Sequence, residues 1–80
     1  ARPIYADKDR QESLIRASDV DWTIVRPGFL TNGPMTRSYR ALTDLTGVTA
    51  GWISRADVAH FILTELRSNQ YLRQAPLLTS

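Results

Sequence analysis

The apolar positions of this 80-residue chain fall into short runs whose character changes from one to the next. From Trp22 to Arg26 the run is nearly continuous rather than alternating. Branched and aromatic side chains favour the pleated backbone, and a strand without alternation is one covered on both faces, as in a parallel sheet. Pro27-Gly28 stops that run abruptly. Upstream, Leu14, Ile15 and Ala17 give a thin apolar face to a helix predicted from about Lys8 to Ala17, with Asp7 as its N-cap. Glu12 and Arg16 stand four apart in the favourable order, and Arg16 suits the negative end of the helix dipole. A helix this short is marginal in water, so it must dock on a sheet.

Downstream, Thr31 to Ser38 reads as an exposed loop. Asn32-Gly33 has the composition of a two-residue hairpin, but Pro34 cannot donate to a ladder directly after it. Tyr39 to Leu42 is a short strand candidate, Asp44 to Gly47 a turn, and Val48 to Ile53 a second strand weakened by Gly51. Ser54 opens the best-defined helix, with Ser54 and Asp57 at capping-box spacing. Val58, Ile62 and Leu66 form one stripe of it, flanked by Ala59 and Leu63. Ser68-Asn69 ends that helix, and Pro76 precedes a last short strand, Leu77 to Thr79. The first six residues give no helix-start or turn signal. The order is helix, strand, short strands, helix, strand: an α/β chain forming one unit over residues 1–80, with a right-handed parallel crossover.

Composition narrows the function classes. Cysteine is absent, which excludes disulfides and thiolate metal sites. No apolar run approaches a membrane span and no signal peptide is visible, so a cytoplasmic location is the default. The net charge of +2 comes from basic residues scattered one per element, not from the clustered face that binds nucleic acid. One histidine and separated carboxylates give no metal-ligand spacing. Ser54 and His60 invite a triad reading, but there is no nucleophile elbow, and Ser54 and Asp57 serve first as capping residues. Arg26 either flanks the strand end or pairs with an acid such as Asp57. No catalytic residue is assigned.

In open α/β sheets ligands bind beyond the carboxyl ends of the strands, which makes Pro27-Gly28 the first position to consider. Three stretches around it also form a pattern: Lys8 with Glu12, then DWTIVRPGFLTNGP from Asp21 to Pro34, then ISRADVAHFI from Ile53 to Ile62. Together, in this order, they resemble the atypical short-chain dehydrogenase/reductase family, in particular its NAD(P)H-binding group of NmrA-like and flavin or biliverdin reductase-like proteins. The resemblance covers nearly the whole chain and corresponds to the C-terminal third of a family member. It implies the C-terminal portion of a Rossmann-like doubly wound parallel sheet, with Trp22–Arg26 as its sixth strand. Lys8 falls where the family hydrogen-bonds the nicotinamide ribose. Pro27, Gly28, Phe29 and Leu30 would then line the nicotinamide end of NAD(P), Gly28 allowing close approach and Phe29 and Leu30 offering amides and apolar surface.

The departures are equally specific. No glycine-rich pyrophosphate turn is present, and Tyr5 and Lys8 stand one residue closer than the family's Y-x3-K. The resemblance therefore implies a full-length parent that binds NAD(P) and passes hydride to a small-molecule acceptor, while this segment alone binds no cofactor. Two other readings follow from the departures: a non-catalytic, NmrA-like dinucleotide-sensing regulator, and a self-associating module. For the latter, the strand Trp22–Arg26 is expected to lack its N-terminal neighbour and to leave an apolar edge open to a homodimer or strand-paired assembly.

Overall fold

The computed structural model of the chain describes residues 2–5 and 9–80, and of these not the side chains of residues 2, 5, 9 and 10. The elements are β1 (Arg2–Tyr5), α1 (Asp9–Arg16), β2 (Trp22–Pro27), β3 (Phe29–Thr31), β4 (Arg40–Leu42), β5 (Trp52–Ser54), α2 (Arg55–Ser68) and β6 (Leu77–Thr79). The main sheet runs β1-β2-β6-β4, with β4 antiparallel to β6 and the other pairs parallel. A parallel two-stranded ribbon, β3 with β5, stands beside it. Among the described residues no helix is long and apolar enough to cross a membrane.

β2 is the central strand. Trp22, Thr23, Ile24 and Val25 are all buried, as the unbroken apolar run requires. Trp22, Ile24 and Arg26 face α1: the Arg16 guanidinium lies 5.2 Å over the Trp22 ring, and Arg26 donates to Glu12. Thr23 and Val25 face α2, where Val25 joins Ile53, Phe61 and Leu78 in the core and the Thr23 hydroxyl donates to Tyr71 O and to Glu65. Each such large apolar side chain stabilises the fold by roughly 1.5–3 kcal/mol.

Four expectations need correction. The first residues form β1, which pairs in parallel with β2 from Arg2↔Trp22 to Tyr5↔Val25, so β2 has neighbours on both sides and the open edge belongs to β1. Pro27-Gly28 does not end the extended chain; it continues as β3, because β5 supplies a partner for Phe29–Thr31. The second strand candidate, Val48 to Ile53, gives way to a strand over Trp52–Ser54, the residues that β3 pairs. Finally, α1 and α2 cover opposite faces although β1, β2 and β6 follow one direction across the sheet, so the two crossovers have opposite hands and one is left-handed. The handedness rule holds for a helix that packs straight back on its sheet. The connection from Gly28 to Pro76 first builds three short strands, which lets it return on the other face.

Candidate functional site

Gly28 is where the main sheet hands over to the ribbon. Its N–H donates to Leu78 O at 2.8 Å, and the next N–H, that of Phe29, donates to Gly51 O at 2.9 Å. A Cβ on Gly28 would stand 2.3 Å from Gly51 O, so the residue must be glycine to let two backbone segments pass. Gly51 thus occupies the side of Gly28 on which a side chain would stand, and the Phe29 amide is committed to the Gly51 carbonyl.

Side chains around this junction divide by strand alternation. Leu30 turns inward beside Ile53 and packs against the core. Together with Pro27, Arg55 and Val58 it lines a recess of about 210 Å³ at the carboxyl end of β2. Three of the four lining residues are apolar and Arg55 is the one cation. Phe29 turns to the opposite face of the ribbon. There it meets Trp52, its cross-strand partner, with ring centroids 5.3 Å apart, and both rings are 62% exposed. A second cleft of about 190 Å³ adjoins Trp52 and is lined by Thr31, Gly33, Pro34, Thr36, Ser54 and Asp57, among others.

The loop after β3 is pinned by one buried carboxylate. Asp57 accepts from Thr36 N at 2.9 Å, the Thr36 hydroxyl at 2.7 Å and Arg37 N at 3.0 Å. Burial alone pushes its carboxyl up; the hydrogen bonds from Thr36, Arg37 and Ser54 outweigh that and hold it below the ordinary carboxylate value. Ser54 is the N-cap of α2, its hydroxyl accepting from Asp57 N at 3.0 Å. Only half of the expected capping box forms, because the acid side chain is spent on the loop. His60 bonds Tyr39 instead, Nδ1 to hydroxyl at 2.7 Å, so Ser54, Asp57 and His60 make separate contacts rather than a triad. Burial, with Asp57 and Tyr71 nearby, pushes the Tyr39 phenol above its usual value.

On the other face of β2, Arg26 pairs with Glu12 and not with Asp57. Its guanidinium donates to both carboxylate oxygens of Glu12, and Arg16 donates to the same carboxylate at 2.9 Å. Burial opposes ionisation of Glu12, but the hydrogen bonds from Arg26 and Arg16 prevail and hold its carboxyl below the usual range. Lys8 lies outside the described residues, as does the side chain of Tyr5. Of the remaining predicted site residues, the fold brings Pro27 and Leu30 together in the recess, buries the freedom of Gly28 in a backbone crossing, and sends Phe29 to the other face.

The sequence reading missed Arg55, Val58 and Trp52. The first two sit in the first turn of α2, directly after a recognisable N-cap, and Trp52 precedes it. Their nearness to Pro27 depends on the pairing of β3 with β5, which no local signal announces.

Residues 1–69 match the model of a family described as NAD(P)H-binding. A curated relative, an uncharacterized sugar epimerase (YhfK) of Bacillus subtilis strain 168, is 38% identical over 65 residues, covering 81% of this chain and 29% of the relative. Among solved structures, ChuY of Escherichia coli CFT073 superposes with a TM-score of 0.73 at 31% identity, over 85% of this chain and 34% of that one. ChuY of E. coli O157:H7, described as an anaerobilin reductase, gives 0.76 at 29% identity, over 85% and 32%. A short-chain dehydrogenase/reductase of Veillonella parvula, solved with NADP, gives 0.77 at 22% identity, over 90% and 35%, a likeness of fold. The chain thus spans about a third of the length of the proteins it matches.

Proposed function

This chain belongs to the NAD(P)H-binding family, and from that premise we propose that it supplies the nicotinamide-side wall of an NAD(P)H-dependent oxidoreductase acting on a small planar acceptor. The observation that carries this reading is the recess of Pro27, Leu30, Arg55 and Val58 at the carboxyl end of β2, the position where open parallel sheets bind ligands. Its apolar floor suits the face of a nicotinamide ring, and Arg55 supplies a cation for the cofactor's polar groups. The cofactor, when bound, supplies the hydride; the chain's own residues exclude water from the ring and fix its orientation. Lys8 is assigned to the nicotinamide ribose on the family pattern alone. The glycine-rich half of the site is not in this sequence, so cofactor binding belongs to the longer protein.

The acceptor is a quinone, flavin or open-chain tetrapyrrole lying over Phe29–Ser38. Two features support this: the exposed Phe29–Trp52 pair, whose rings favour a conjugated partner, and the relative described as an anaerobilin reductase. A cytoplasmic setting, where reduced nicotinamide is abundant, fits that role. The experiment is a steady-state assay of the full-length protein with NADPH and NADH against menadione, flavin mononucleotide and biliverdin. Turnover with one of them is expected. Val58→Asp should raise the cofactor dissociation constant by about tenfold or more, since it puts a charge on an apolar contact. An unchanged constant would overturn the placement. The second reading, a dinucleotide-sensing regulator, is favoured by the missing Y-x3-K spacing. Tight NADPH binding without turnover of any acceptor would select it.

A further inference from the structure

One face of α2 and the loop before β4 enclose a cleft of about 330 Å³, lined by Met35, Arg37, His60, Leu63, Thr64 and Arg67. Its helical residues follow helix spacing along the side that adjoins the buried stripe of Asp57, Phe61 and Glu65. Three of the six lining side chains are cationic or can become so, and none is acidic. Among the described residues no carboxylate lies within 4.0 Å of the Arg37 or Arg67 guanidinium. Asp57, the acid that fastens the loop, has its oxygens taken by Thr36 and by the Arg37 amide.

The backbone of Arg37 and the ring of His60 are held in place. Arg37 occupies the left-handed region at φ 58, a conformation that costs a residue with a side chain about 1 kcal/mol. The bond from its N–H to buried Asp57 holds the loop in that geometry. His60 is oriented by the 2.7 Å bond between its Nδ1 and the Tyr39 hydroxyl, which leaves Nε2 as the nitrogen without that partner. Beside these groups, Leu63 is 59% and Met35 45% exposed, an apolar surface next to a positive one.

We propose that this cleft binds an amphipathic oxyanion, a carboxylate or phosphate ester on an apolar chain, with its head between Arg37, Arg67 and His60 and its chain across Leu63 and Met35. Guanidinium groups recognise carboxylate and phosphate through paired, charge-assisted hydrogen bonds, and the apolar strip adds affinity in proportion to the area it covers. The cleft shares no lining residue with the recess at Pro27. Met35 and Arg37 do belong to the Phe29–Ser38 stretch assigned to the acceptor, so the probes below carry no conjugated ring and report on the oxyanion site alone.

The test is calorimetric titration of the purified protein with octanoate, octyl phosphate, inorganic phosphate and octanol. Saturable binding of octyl phosphate or octanoate is expected, with inorganic phosphate at least about tenfold weaker because it lacks the apolar chain. Which of the two binds more tightly identifies the head group. Arg37→Gln and Arg67→Gln should each weaken binding by about tenfold or more, the size of a charge-assisted hydrogen bond. Arg40→Gln, whose guanidinium instead donates to Ser80 O, should leave it unchanged. Equal binding of octyl phosphate and octanol, affinity unaltered in the arginine variants despite an unchanged urea midpoint, or no saturable binding of either amphiphile overturns the proposal.

Discussion

At the scale of single residues, Gly28 shows how one position serves a purpose different from its local signature. In sequence, Pro27-Gly28 marks a strand end, and a glycine there invites the idea of room for a ligand. In the fold, that room is taken by the carbonyl of Gly51, 23 positions later, and no local pattern could have named it. Gly28→Ala would force a Cβ to within 2.3 Å of backbone oxygen and disrupt the 2.9 Å bond from Phe29 N to Gly51 O. The expected loss of stability is about 1–3 kcal/mol, the range for overpacking a rigid site. Gly33→Ala is the comparison, since its Cβ would meet only the Thr31 hydroxyl at 3.4 Å and should be nearly neutral. Urea unfolding of both variants decides this, and equal midpoints would refute the account. Phe29 and Leu30 entered the sequence reading together through the family resemblance; which face each takes was not legible, because it depends on the pairing of β3 with β5.

At the scale of elements, α1 is the weakest piece and depends on its contact with β2. Its sequence signals were the Glu12–Arg16 spacing, which is present, and a thin apolar face, which is not the one that docks. Leu14 is 68% exposed and Ala17 is exposed, while Glu12 is buried and also holds Arg26 of β2, a contact no local pattern announces. The three groups form a clamp in which Glu12 is largely buried and each arginine partly exposed, with side chains 46% exposed at Arg16 and 37% at Arg26. Because the folded carboxyl titrates below its ordinary value, this contribution is complete above the unfolded glutamate pKa, about 4.3. It is lost as pH falls through the folded value. Asp57 has the same sign, so it adds to the same acid limb while fastening the loop to α2. Stability should therefore fall progressively as the pH is lowered from about 5, the region where carboxylates begin to protonate. Glu12→Gln should lower the urea midpoint at pH 7 and flatten the acid limb without abolishing it. A variant whose midpoint falls by the same amount at pH 3 and pH 7 would show that the clamp is not the cause.

For the whole molecule, the order of elements was enough to indicate an α/β chain, while the edge of the sheet and the hand of one crossover depended on contacts far apart in sequence. The edge bears directly on self-association. Along β2, Ile24 N and Arg26 N donate to Gln74 O at 2.9 Å and Pro76 O at 3.1 Å, on the β6 side. Thr23 and Val25 alternate with them and turn toward β1. In a parallel ladder the residue opposite one that bonds across turns its own groups away. Pro3, opposite Thr23, and Tyr5, opposite Val25, therefore present their backbones to the outer edge. Proline has no N–H to give, so it removes one of the two outward donors of this short strand, a common way of blunting an edge. Any strand-paired dimer formed through β1 thus lacks a ladder bond at position 3. Pro3→Val restores the donor with a residue suited to strands, and the 80-residue polypeptide should then associate at lower concentration than wild type. Sedimentation velocity across a concentration series measures this; a Pro3→Val chain that remains as monomeric as wild type would mean that β1 is not the surface through which copies meet.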